Sequence, residues 1–68
     1  MLTKEYLSER LGMDVSYVFQ GKDGFSFCVK TELEAYKAAH VYQDLQSRIY
    51  METGGELWMV ALIERDKR

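Results

Sequence analysis

Residues 14–30 read DVSYVFQGKDGFSFCVK. Val15, Tyr17 and Phe19 alternate with Asp14, Ser16 and Gln20, and only Val18 departs from the pattern. Beyond GKDG, Phe25, Phe27 and Val29 alternate with Ser26, Cys28 and Lys30. A period of two in aromatic and β-branched residues marks strands. GKDG, with glycine at both ends, is a four-residue hairpin turn. The stretch therefore predicts an amphipathic β-hairpin with one aromatic face. A helix over 13–20 would make a different protein, so the other segments must be fitted to this hairpin.

On its N-terminal side, Thr3 is a good N-cap and Glu5 favours the helix dipole from the first turn. Leu2 and Leu7 have the spacing of a hydrophobic staple. Gly12 can take the positive φ that ends a helix. A short helix over Lys4 to Leu11 follows, with Leu7 and Leu11 on one face.

On its C-terminal side, Thr31 and Glu34 fit a capping box. Ala35, Ala38, Tyr42, Leu45 and Ile49 then recur at three-four-three-four spacing. That stripe predicts one long helix whose core face includes two small alanines, allowing close approach to a sheet. Its opposite side carries Leu33, Tyr36, Lys37, His40, Gln43, Asp44, Ser47 and Arg48, with Asp44 and Arg48 an i,i+4 pair. TGG then separates strands expected near Ile49 to Glu52 and Glu56 to Glu64. In the second, Leu57, Met59, Ala61 and Ile63 point one way and Trp58, Val60 and Leu62 the other. The expected fold is a single α+β domain over residues 1–68, in the order α-β-β-α-β-β. A four-stranded antiparallel sheet carries the long helix on one side. Phe27, Tyr42, Leu45, Ile49 and Met59 are its expected core.

Composition narrows the function. One cysteine, Cys28, among 68 residues gives no disulfide, and no secretory signal is visible. The expected setting is reducing and cytoplasmic. The longest apolar run, Leu57 to Ile63, is far short of the about 20 residues of a membrane span. Net charge is −2, and Lys and Arg are dispersed apart from the tail ERDKR, where Glu64 and Asp66 offset them. That balance argues against nucleic acid as a partner, because a duplex reader needs a basic patch.

Two short segments nevertheless resemble nucleic-acid binders. LSERLGMDVSYV (7–18) resembles a helix-turn-helix around its turn, with Ser8, Gly12, Leu7, Leu11, Met13 and Val18 at the family's small and apolar positions. The resemblance implies a recognition helix over about Asp14 to Gln20, a segment without Lys or Arg. DGFSFCV (23–29) is similar to the RNP1 strand of RRM and cold-shock proteins, which implies Phe25 and Phe27 as base-stacking residues. It departs from that motif where Asp23 replaces a basic residue. A nucleic-acid-binding regulator using the first 30 residues is the alternative function.

No catalytic constellation is evident. A Tyr36, His40, Asp44 row is possible on a continuous helix, but no nucleophile motif or second histidine accompanies it. Cys28 between Phe27 and Val29 reads as a small buried hydrophobe. No ligand spacing suggests a metal, no motif implies a cofactor, and no small-molecule substrate is indicated. TGG and GKDG read as turns.

The expectation is therefore a non-enzymatic protein-binding module, an adaptor, inhibitor or regulator, with another protein or a second copy as partner. By composition it resembles many small proteins of bacteria and phages. The expected binding residues are Tyr36, His40 and Gln43, interface-type residues on the outer helix side, and Trp58 on the strand apolar on both sides. One long helix covers one sheet face, and the short first helix lies either on the second face or beside its neighbour; in the second case part of the apolar surface of Trp58, Val60 and Leu62 is expected to remain exposed.

Overall fold

The computed structural model describes residues 2–51 and 54–65. Expectations that fall on Glu52, Thr53, Asp66, Lys67 and Arg68 lie outside the described residues. The elements are α1 (Lys4–Leu11), β1 (Ser16–Gln20), β2 (Gly24–Val29), α2 (Glu32–Val41), β3 (Gln46–Met51) and β4 (Trp58–Ile63). The four strands form one sheet in the order β1-β2-β4-β3, with every neighbouring pair antiparallel.

Local chemistry sets the helix starts. The Thr3 hydroxyl accepts the Tyr6 N–H at 3.1 Å, and the Thr31 hydroxyl accepts the Glu34 N–H at 3.1 Å. Thr31 Oγ1 also donates to Glu34 Oε1 at 3.3 Å, a reciprocal cap made through the side chains. At the end of α1, Gly12 takes φ 69° and donates to the Ser8 carbonyl at 2.8 Å. Left-handed backbone of this kind suits glycine.

α2 is shorter than its apolar stripe implied. It ends at Val41, and Tyr42 leaves the helical region at φ −107°, ψ 41°. Two tight turns follow, with Gln43 N–H on the His40 carbonyl at 3.2 Å and Leu45 N–H on the Tyr42 carbonyl at 2.9 Å. Gln46–Met51 then pairs along its whole length with β4. The stripe residues still reach the core: Tyr42 and Leu45 pack against it from the turn and Ile49 from β3. A ladder of cross-strand bonds replaces the helical ones, and Tyr42, Leu45 and Ile49 remain partly buried. The Asp44–Arg48 helical pair does not exist, because Asp44 lies in the turn and Arg48 in β3.

Both helices lie on one side of the sheet. α1 packs against α2 and β1, beside its neighbour rather than on the second face. Leu7, Leu11, Met13, Val15, Phe27, Val29, Ala35, Ala38, Val60 and Leu62 form the buried cluster between the layers. The expected orientation of the last strand is thereby reversed. Phe27 pairs with Val60 and Phe25 with Leu62, so Val60 and Leu62 share the helix side with the phenylalanines. Trp58, opposite Val29, packs against the same core. Met59, expected beside Phe27, pairs with Cys28 and faces away, as do Ala61 and Ile63.

β1 contains a bulge. Ser16 pairs with Cys28 and Phe19 with Ser26, so Tyr17 and Val18 together stand opposite Phe27. Tyr17 is at φ 52°, the one positive φ among the described non-glycine residues. Val15 and Val18, the smallest apolar side chains of 13–20, are taken into the core side under α1. Phe19, which simple alternation would send inward, is turned to the other face.

Candidate interaction surface

The side of the sheet without helices is built from rows of cross-strand partners. Its middle row runs Phe19, Ser26, Ala61, Arg48 across β1, β2, β4 and β3. One flanking row runs Ser16, Cys28, Met59, Tyr50, and the other contains Gly24, Ile63 and Gln46. The large side chains of the middle row stand at the edges, and the small ones form its floor.

Phe19 is 68% exposed. Together with Ile63 it borders a shallow groove of about 290 Å³ floored by Gly24, Ser26 and Ala61, with Asp23 at the turn end. The groove needs glycine at its floor. A Cβ on Gly24 would collide with the Leu62 carbonyl oxygen and lie 2.9 Å from Ile63 Cα. The turn is tied by Gly21 N–H on the Gly24 carbonyl and Glu64 N–H on the Asp23 carbonyl, each at 2.8 Å. The Tyr50 hydroxyl donates to Met59 Sδ at 2.9 Å, laying the ring along the strand beside it. Cys28 is buried beneath this surface.

Charge is sparse here. Arg48 is the one charged side chain in the three rows. Beyond the Ser16–Cys28 pair, Lys30 Nζ and Asp14 Oδ2 form an exposed ion pair at 3.0 Å. The hydrogen bond that Lys30 donates to Asp14, and then the charge of that carboxylate, raise the Lys30 pKa above its ordinary value.

The expected binding residues do not make one patch. Tyr36 and His40 are exposed one turn apart on α2. Gln43 follows the helix, and its carbonyl accepts from Arg65 Nη2 at 3.1 Å. Asp44 lies past the helix end, so the Tyr36, His40, Asp44 row is broken. Trp58 pairs with Val29, two residues before the α2 cap Thr31, and so sits at the opposite end of the helix layer from Gln43. It is partly buried on the helix side.

The segments that resembled nucleic-acid motifs lack the required geometry. Ser16–Gln20 is a strand where a helix-turn-helix needs its second helix. Phe27 is 0% exposed, and Phe25 stacks on it at 6.0 Å and meets Tyr42 edge-on at 5.3 Å. Both phenylalanines lie on the helix side of the sheet. The exposed aromatics of the sheet are instead Phe19 and Tyr50 on the open face, together with Tyr17 at the bulge. Their signal in the sequence was the second apolar set on the last strand, Met59, Ala61 and Ile63; the turning-out of Phe19 had none.

Among the described residues, no three His, Cys, Asp or Glu side chains gather to hold a metal ion, and no helix is long and apolar enough to cross a membrane. No family model, no curated protein and no solved structure matches this chain.

Proposed function

We propose that this chain is a protein-binding domain, an adaptor, inhibitor or regulator, that works without chemistry through the open face of its sheet. The observation that carries the reading is the bulge at Tyr17. An L-residue in left-handed backbone costs about 1–2 kcal/mol. Here that cost accompanies the outward turn of Phe19, a large apolar side chain in water. Bulges recur where a side chain is re-aimed for function.

The size of the face supports the same reading. Four strands spaced about 4.8 Å apart and five or six residues long at about 3.3 Å each give a footprint of roughly 400 Å². Phe19, Ile63, Met59 and Tyr50 gather apolar surface within it, beside the polar Ser16, Ser26, Gln46 and Arg48 of the same rows; an apolar patch rimmed by polar residues is of the kind that marks an association surface. The outer side of α2 also exposes Leu33, Tyr36 and Val41, but Glu32, Lys37 and His40 are interspersed among them. The single buried cysteine suits a cytoplasmic setting.

A photo-cross-linking residue placed at Phe19, compared with one at Tyr36, tests the face inside the cell. Covalent capture of protein from Phe19 and little from Tyr36 is expected. Capture from Tyr36 alone would move the interface to α2. Capture of RNA or DNA from Phe19 would replace the protein-binding reading with a nucleic-acid one.

A further inference from the structure

Resting on the open sheet face as the binding surface, we infer that its occupant is a second copy of this chain, packed face to face. The two-fold axis runs along the strands between β2 and β4, and Phe19 of each copy lies against Arg48 of the other. Strand register supports this pairing. An axis along the strands preserves each row and reverses it, so β1 faces the partner copy's β3 and β2 faces its β4. In the middle row Phe19 then meets Arg48, and Ser26 meets Ala61. A guanidinium over an aromatic ring is a favourable pair, and the symmetry makes it twice.

The flanking rows fit under the same operation. Gly24 on β2 receives Ile63 on β4, and Ser16 on β1 receives Tyr50 on β3, small against large in each case. The groove floored by Gly24, Ser26 and Ala61 is thus the seat for the partner copy's Ile63. A two-fold axis across the strands through the middle row would instead place Arg48 on Arg48 in a face that offers no carboxylate among its rows. Charge therefore selects the axis along the strands. Sheets packed face to face cross at about 30°, which tilts the axis about 15° from the strands and leaves neighbouring rows opposed. The footprint of about 400 Å² per copy is half of the about 800 Å² that each partner buries in a standard interface, so the dimer is a weak one, to be sought at micromolar concentration and above.

Sedimentation equilibrium of the purified chain from about 1 to about 200 μM tests the pairing. The expected result is a mass that doubles across this range. Ala61→Glu and, independently, Arg48→Glu should each weaken dimerisation at least tenfold, with folding checked by circular dichroism. The axis is tested with Phe19→Cys and Arg48→Cys variants, Cys28 being buried. Under oxidation, the mixture of the two should form a mixed disulfide dimer, and neither alone should link to itself. Arg48→Cys linking to itself would overturn the axis. A monomer throughout the range would overturn the dimer. If Phe19 still captured a different protein in cells, the interaction face itself would stand.

Discussion

On the helix side of the sheet, Phe27, Val29, Val60 and Leu62 interlock with Ala35, Ala38, Leu7 and Leu11 in one buried cluster. On the other side, the residues between them in the same strands, Gly24, Ser26, Ala61 and Met59, meet no second layer among the described residues. Both sides contain apolar residues, so hydrophobicity does not separate them; shape does. The covered side offers bulky and branched groups along its centre, as a filled interior requires. The open side is low at the centre of its middle row, at Ser26 and Ala61, and high at Phe19 and Arg48 on its margins, as a receiving surface requires.

The largest test of this contrast replaces neighbours on β2. Phe27→Ala should cost about 3–5 kcal/mol, enough to unfold a domain stable by about 5 kcal/mol. Ser26→Ala, one residue away on the open side, should stay within about 0.5 kcal/mol. Equal shifts of the urea midpoint would abolish the distinction between the two sides.

Next in size is the groove floor. Gly24→Ala forces a methyl group between β2 and β4 and should cost about 1–3 kcal/mol. Gly21→Ala, whose nearest neighbour would be 3.6 Å away, should melt like the parent. A stable Gly24→Ala protein would mean that the two strands can part without harm to either side.

A smaller effect of opposite sign is expected at the bulge. Tyr17→Gly removes about 1–2 kcal/mol of left-handed strain and adds about 0.5–1 kcal/mol of chain entropy. The net is a gain of up to about 1.5 kcal/mol in denaturant melts, whereas Tyr17→Val should lose stability. Destabilisation by Tyr17→Gly would show that the tyrosine side chain, not the backbone, holds Phe19 outward.

The smallest is a pH effect, tested at Tyr42 on the helix side. Burial raises the Tyr42 pKa above 10.0, partly countered by the Arg10 guanidinium 5.3 Å from the ring centroid. A folded pKa above the unfolded one gives stability that is complete below about 10 and lost as pH rises through the folded value. Lys30, also raised, acts with the same sign. Tyr42→Phe should flatten part of the fall in melting temperature between about pH 9 and 11. An unchanged slope would assign the fall elsewhere.

Features decided within a few residues were legible in the sequence. Thr3, Gly12, Thr31 with Glu34, and the GKDG turn each do locally what their chemistry implies. Features decided by distant partners were not. The spacing from Ala35 to Ile49 suits a helix, but Gln46–Met51 gains a strand partner that lies beyond residue 57. Apolar residues on both sides of the last strand left its orientation open, and only the pairing of Phe27 with Val60 settles which set is covered. The bulge escaped because Tyr17, β-favouring by type, adopts a backbone that its type avoids. On the open face, Met59, Ala61 and Ile63 were visible as an apolar set, while Phe19 and Arg48 were hidden by the bulge and by the false extension of the helix.

The same bulge bears on how such a protein avoids polymerising. β1 and β3 are the two margins of the sheet, and each is a potential template for another chain's backbone. A filament needs both margins to accept a strand, so that growth never closes. At Tyr17 and Val18 the outer row of β1 backbone groups is interrupted and twisted out of line. A chain added at β3 therefore finds no matching margin on the far side from which the next addition could continue, and assembly stops at a finite size.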